Sequence, residues 1–403
     1  MAARTQTLTF KRTLSAPSQE VYRAFTNATA LREWLCNAAQ ADPHKGGRIH
    51  LWWNSGYYAT GEFTALTPGR KVAFTWFGRG EPAPTRVQVS ITEKKDRVAL
   101  TLTHSGVGSG KAWARTIDAL ERGWNVNLEN LQSVLETGHD LRFTLRPLLG
   151  ISSDAFDAEV AAKLGVPVSQ GVRLSSVSEG LAAHEAGLQK NDVVVSIGGK
   201  KTTGVDSFIG ALQAHRAGDV VKVVFYRGGE KKGVPVKLSA RRLPEVPESA
   251  GALAEAARKM YAELDAELAA CFDGVSEEEA AHRPAPDQWS AKDVLCHLIA
   301  GERDGHAWIT ELIGSQERWT DDWPGNIEVR HAGLLVAFPT AKMLLEEFQR
   351  NEIETVAMLV ALPTGLVARK GSFWRLAYAV LQTPDHTREH MPQIRAAIAS
   401  AHR

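Results

Sequence analysis

The sequence predicts a multidomain α+β protein in three modules, near residues 1–142, 143–243 and 250–403. These are an α/β sheet domain closed by one long helix, a smaller β-barrel-like domain, and an all-α antiparallel four-helix bundle. Three observations carry the prediction. Six of the 11 tryptophans lie between Trp34 and Trp124, five between Trp289 and Trp374, and none from Asn125 to Gln288. The apolar period changes from two to about 3.6 beyond Ala250. The stretch RRLPEVPESAG (Arg241–Gly251), with two prolines and mixed charge, reads as an exposed linker, and an earlier helical pattern ends at Gly138.

At 403 residues the chain is too long for one compact core. With 44% hydrophobic and 23% charged residues it is not a disordered, collagenous or coiled-coil protein. Its 47 basic and 46 acidic residues give a net charge of +1, so no global field selects nucleic acid or anionic membrane, and neither is an expected partner. No apolar run approaches the roughly 18 residues of a membrane-spanning helix. The segment MAARTQTLTFKR enters an alternating strand with no signal-peptide core. Three scattered cysteines, Cys36, Cys271 and Cys296, suit neither a disulfide framework nor a four-thiolate zinc site, and a reducing cytoplasm is the expected compartment.

Taken in order, Thr5–Leu14 alternates apolar and polar residues as a half-buried strand does, and Ser15–Asn27 reads as a short helix with Pro17 in its first turn. RIHLWW, YATGEFTAL, KVAFTWF, RVQVSITEK and RVALTLTHS follow as strands separated by turn residues. Trp113, Ile117, Leu120, Trp124, Leu128, Leu131 and Leu135 then recur at steps of three and four, the stripe of a long amphipathic helix lying across the sheet. Gly123 interrupts that helix at a cost of about 1 kcal/mol against Ala, which close approach to a strand or a ligand would explain. REWL (Arg32–Leu35), THSG and RGWNVNLENLQSVLETG resemble the START-related helix-grip (SRPBCC) proteins, more narrowly the bacterial relatives of the activator of heat-shock-protein-90 ATPase. The resemblance implies a cavity between sheet and helix for an apolar small molecule, with Trp34, Trp76, His104 and Trp124 as candidate pocket residues. Plain core is the competing reading of the same side chains. SGVGSGKA (Ser105–Ala112) mimics a phosphate loop, but Ser105 replaces the first Gly and Ala112 the magnesium-binding hydroxyl, so nucleotide binding is rejected.

In the second module, AGLQKNDVVVSIGGK (Ala186–Lys200) resembles the AGL-x-x-GD-V-I-x-x-INGK signature of protease-associated PDZ domains, with Asn191 for Gly and Gly198 for Asn, both in turns. The resemblance implies that Leu148, Leu149, Gly150 and Ile151 present backbone N–H groups to the carboxylate of a peptide or protein C-terminus, the peptide adding to the following strand. No serine-protease motif accompanies it.

The third module has apolar helical patterns at Leu253–Leu268, from Ser290, over Thr340–Leu362 and over Ser372–Ser400, the last broken by Pro384. Ser290 and Asp293 approximate a capping box. HTREH (His386–His390) places two imidazoles on one helix face, within reach of one metal ion. With 13 histidines, roughly 0.4 such pairs arise by chance, so the pair needs support. His297 sits on another helix, whereas His306, nine residues on, points away. WSAKDVLCHL with HTREHMPQIRAAI is similar to the DinB/YfiT-like metal-dependent family. The resemblance implies a divalent-metal site, zinc or nickel by its imidazoles, formed by His297, His386 and His390 with a fourth position open. It also implies metal-dependent transfer or hydrolysis, on thiol adducts in some members. A non-enzymatic, stress-related adaptor or ligand sensor is the alternative.

Overall fold

The computed structural model describes residues 5–241, 243–318 and 327–402. They form two compact units, one of Met1–Asp140 with Pro244–Arg403, the other of Leu141–Leu243. The first and third sequence modules therefore share a unit.

In the larger unit, β1 (Gln6–Leu14) is followed by α1 (Ser18–Thr26) and α2 (Ala28–Trp34). Six strands come next: β2 (Ala38–Ala41), β3 (Arg48–Trp52), β4 (Tyr58–Thr67), β5 (Lys71–Gly78), β6 (Thr85–Lys94) and β7 (Arg97–Val107). They build one antiparallel sheet in the order β1-β7-β6-β5-β4-β3-β2. Alternation sets its inner face: Leu8, Phe10 and Leu14 of β1 and Val98, Leu100 and Leu102 of β7 are buried. The helix α3 (Lys111–Thr137) adds Trp113, Leu120, Trp124, Leu128 and Leu131 to the same core. It stops at Gly138, whose φ of 84° is left-handed and whose N–H caps the Val134 carbonyl.

The smaller unit contains α4 (Leu141–Thr144), β8 (Ile151–Asp154), α5 (Ala158–Leu164), β9 (Val172–Val177), α6 (Ala182–Glu185), β10 (Val193–Ile197), β11 (Lys200–Lys201), α7 (Val205–Leu212), β12 (Val220–Arg227) and β13 (Glu230–Lys237). Its strand order is β13-β12-β10-β9-β8, with β11 on β10 and β8 at one edge. Both departures from the PDZ signature are accommodated by backbone geometry. Asn191 adopts φ 71°, which Asn tolerates better than most residues, and Gly198 adopts φ 55°. Next to Asn191, fully buried Asp192 is neutralised by Arg227, whose guanidinium donates to both carboxylate oxygens at 2.8 Å.

The helical part of the larger unit runs α8 (Ala250–Ala269), α9 (Glu277–Ala281), α10 (Ala291–Gly314), α11 (Ile327–Ala337), α12 (Ala341–Val360), α13 (Thr364–Ala368) and α14 (Lys370–Ser400). Helices α8 and α10 each pack against both α12 and α14, which closes the four-helix bundle. The expected break at Pro384 does not occur: α14 is one helix with Pro384 and Pro392 inside it. Each proline removes one helical N–H and costs about 3 kcal/mol in isolation. Burial of Leu376, Ala377, Val380, Met391 and Ile394 along the same helix offsets that cost. Periodicity also missed α11, a short helix packed on α10.

Candidate metal centre and binding surfaces

The start of α10 is fixed by a reciprocal cap. Ser290 Oγ accepts from the Asp293 N–H, and Asp293 Oδ2 accepts from the Ser290 N–H at 2.9 Å and from its hydroxyl at 2.7 Å. That phase turns His297 towards α14, where His386 and His390 share a face. His297 Nε2 lies 3.4 Å from His386 Nε2, and His390 Nε2 lies 3.2 Å from the same atom. One nitrogen of each ring lies within 4.8 Å of the other two. Nitrogens held at about 2.05 Å from one tetrahedral centre sit about 3.3 Å apart, so this donor set fits a divalent ion.

The surroundings keep His297 and His386 available as neutral ligands. Burial, then the neighbouring His390 and His386, push His297 down to about 4, and burial with His390 lowers His386. Gln393 Oε1 accepts from His390 Nδ1 at 2.9 Å, which leaves the Nε2 lone pair facing the cluster. The Trp289 ring lies 5.2 Å from His297 and 5.1 Å from His331 between centroids. Trp289 and Gln393 both line an adjacent cavity of 360 Å³, with Asp287 and Gln288 on its wall. His306 lies elsewhere, its Nε2 within 2.9 Å of Thr355 Oγ1 and 3.1 Å of the Asn351 carbonyl. Cys296 is buried in the core, and desolvation pushes its thiol up to about 12, so it is no nucleophile. Sequence reasoning missed the site roles of Trp289, Gln393 and His331. The first two stand inside the two motif segments, whereas His331 lies on the unanticipated α11.

The sheet domain holds a cavity of 490 Å³ lined by Trp53, Tyr57, Trp76, Leu120, Gly123 and Trp124 among others. Trp76 and Trp124 thus stand where a pocket needs them. Trp34 and His104 do not line it. Trp34 is fully buried, its ring 5.1 Å from Phe25 and its indole N–H donating to the Ala24 carbonyl. His104 stands behind the wall, where its Nδ1 accepts from the Trp124 indole at 3.0 Å. No strand approaches Gly123: a Cβ there would meet nothing within 4 Å, and the residue faces the cavity. Glu81, invisible as a site residue in sequence, joins the rim by accepting from Tyr57 Oη at 2.7 Å and Trp76 Nε1 at 3.0 Å.

In the smaller unit the predicted peptide loop divides. Leu148 donates its N–H to the Ser239 carbonyl at 2.9 Å, so that donor is committed internally. Leu149 is buried, and its carbonyl accepts from Ala183. Gly150 adopts φ 77°, where a Cβ would lie 2.4 Å from Leu181. Ile151 opens the edge strand β8, paired with Val177 of β9.

Three family models match in succession: the activator of Hsp90 ATPase homolog 1-like protein over residues 15–136, the PDZ domain over 147–238, and the DinB superfamily over 227–394. The chain carries all three domains. Among curated proteins it is similar to the serine protease Do-like HtrA of Lactococcus lactis subsp. lactis, 37% identical over 99 residues, which are 23% of this chain and 24% of that protein. A probable periplasmic serine protease do/HhoA-like of Haemophilus influenzae is 29% identical over 110 residues, 27% of this chain and 23% of that protein. The chain therefore spans about a quarter of the length of these relatives. Similar solved structures include an HSP90 activator from Plasmodium falciparum, at 25% identity and TM-score 0.29, covering 32% of this chain and 95% of that one. The Aha1 dimer from Colwellia psychrerythraea is 20% identical with TM-score 0.29, covering 32% and 96%. Among the described residues, no helix is long and apolar enough to cross a membrane.

Proposed function

We propose that the DinB domain is a metal-dependent transferase or hydrolase acting on thiol adducts, with His297, His386 and His390 as its metal ligands. The observation that supports this reading is the approach of His297 Nε2 and His390 Nε2, from two helices, to within 3.4 and 3.2 Å of His386 Nε2, separations that suit ligands of one tetrahedral centre. Zinc or nickel suits an all-imidazole set. A divalent ion there would supply Lewis acidity, which lowers the pKa of a water or thiol into the neutral range. The chain's own residues do the positioning: Gln393 fixes the His390 tautomer, and Trp289 offers an apolar wall beside the cavity. The AHSA1-like domain would capture an apolar small molecule in its tryptophan-lined cavity. The PDZ domain would take a peptide or protein C-terminus at the β8 edge. Three buried free thiols, Cys36, Cys271 and Cys296, suit a reducing cytoplasm as the working compartment.

Elemental analysis of the purified chain should find about one zinc or nickel per molecule. His390→Ala should lose most of it, and His306→Ala should keep it. Turnover of an S-substituted low-molecular-weight thiol should disappear with the metal. Absence of stoichiometric metal from a folded sample would overturn the reading. The open sheet edge and the apolar cavity favour a second reading, a non-enzymatic adaptor or ligand sensor, which tight binding of peptide or apolar ligand without any turnover would support.

A further inference from the structure

Between α8 and α12, away from the three histidines in sequence and lining, lies a cavity of 380 Å³. Its walls are mostly aliphatic, with Ile353, Val356, Ala357 and Val360 along α12, yet Asp265 and Glu352 also line it. Glu352 is 2% exposed, and neither of its carboxylate oxygens has a hydrogen-bond donor; Asp265 Oδ1 is likewise buried without one. The titratable groups around Glu352 are of the wrong sign to neutralise it. Tyr261 and Asp265 come from α8, and Glu302 from α10, where the Thr355 hydroxyl donates to it at 2.9 Å. The nearest bases are already engaged. His306 holds Thr355, and Arg258 at the cavity wall pairs with Glu255.

We propose that this cavity is a binding site for a small organic ammonium ion with an aliphatic body, its charge seated on Glu352 and Asp265. A buried pair of carboxyls that face each other without a basic partner cannot both ionise, and an ammonium brings the charge and the N–H donors that the pair lacks. A hard metal cation fits less well, because it needs six or more oxygen ligands and most of this wall is hydrocarbon. With nothing bound, burial and Asp265 push Glu352 up to about 11, so the carboxyl keeps a proton that an incoming ammonium would displace.

The test is calorimetric titration of the full chain with cyclohexylammonium, alongside cyclohexanol as its neutral isostere and Mn²⁺ as a hard cation. Saturable, one-to-one binding of cyclohexylammonium is expected, at least about tenfold tighter than either control. Glu352→Gln keeps the shape and lets its amide donate to Asp265, so it should fold, and it should weaken binding by about tenfold or more. A pocket that takes cyclohexanol equally well, a preference for Mn²⁺, an unchanged affinity in Glu352→Gln, or no binding at all, leaving a carboxyl pair that shares a proton, would each overturn the proposal.

Discussion

His104 shows how one buried side chain fixes a wall of a cavity. The Trp124 indole can only donate, so His104 Nδ1 must be its acceptor and Nε2 must carry the proton. Nε2 then donates to Thr85 Oγ1 at 2.7 Å, and that hydroxyl donates to the Trp76 carbonyl. Every member is satisfied only while the ring is neutral, and desolvation holds its pKa down to about 4. The unfolded chain, with His near 6.5, takes up this proton first, so stability is complete above about 6.5 and falls as pH drops towards 4. The gap corresponds to roughly 3 kcal/mol for this one residue. His104→Gln should therefore flatten the dependence of the urea midpoint on pH between these limits. Equal slopes in variant and parent would refute the assignment. At the same scale, the cluster of His297, His386 and His390 was legible in sequence because two of the three repeat at helical spacing and the third follows a capping signal. Glu81, Trp53 and Tyr57 were not, because they stand in the β3–β4 and β5–β6 connections, which only the pairing of β3, β4 and β5 brings to one rim.

At the scale of elements, periodicity located the β1 and β3–β7 strands, α3 and the four bundle helices, since each buries one face and the pattern records which. It failed where packing overrides local preference: at Pro384, held inside α14 by its buried neighbours, and at α11, too short for its stripe to stand out. Gly123 of α3 is a third such place, a helix-weakening residue whose reason is the empty space beside it. Gly123→Leu should fill the cavity from the helix side, gain up to about 1 kcal/mol of helix propensity, and abolish the tryptophan fluorescence response to apolar ligands. Retained ligand response in a stable variant would mean that binding occurs elsewhere. The edge position of β8 makes a separate expectation for peptides. Free-acid peptides ending in an apolar residue should bind the PDZ domain more tightly than their amides, and equal affinity would remove the carboxylate from the account.

At the scale of the larger unit, composition marked two separate modules, but polar contacts between them bind sheet domain and bundle together. Helix α14 packs on both α2 and α3. Gly371 of α14 has room for no Cβ, because Val134 of α3 would lie 2.7 Å away. At the centre, Glu317 is nearly fully buried and takes Arg375 of α14 at 2.7 Å and Arg32 of α2 at 3.4 Å, while its backbone N–H donates to Thr29 Oγ1 of α2 at 3.0 Å. Nearby, Ser372 of α14 donates its hydroxyl to buried Glu33 of α2. Burial alone would raise the Glu317 carboxyl, but Arg375 and Arg32 outweigh it and hold the group below its ordinary value. Sequence could not reveal this contact, since its partners are about 285 residues apart. Removing one member of such a network strands the others, at a cost of about 3–5 kcal/mol. Glu317→Ala should thus destabilise both parts together. In native-state hydrogen exchange, peptides from β5–β7 and from α10 should lose protection by the same free energy. If only the bundle peptides change, sheet domain and bundle are separate folding units, and the buried pair is a local clasp.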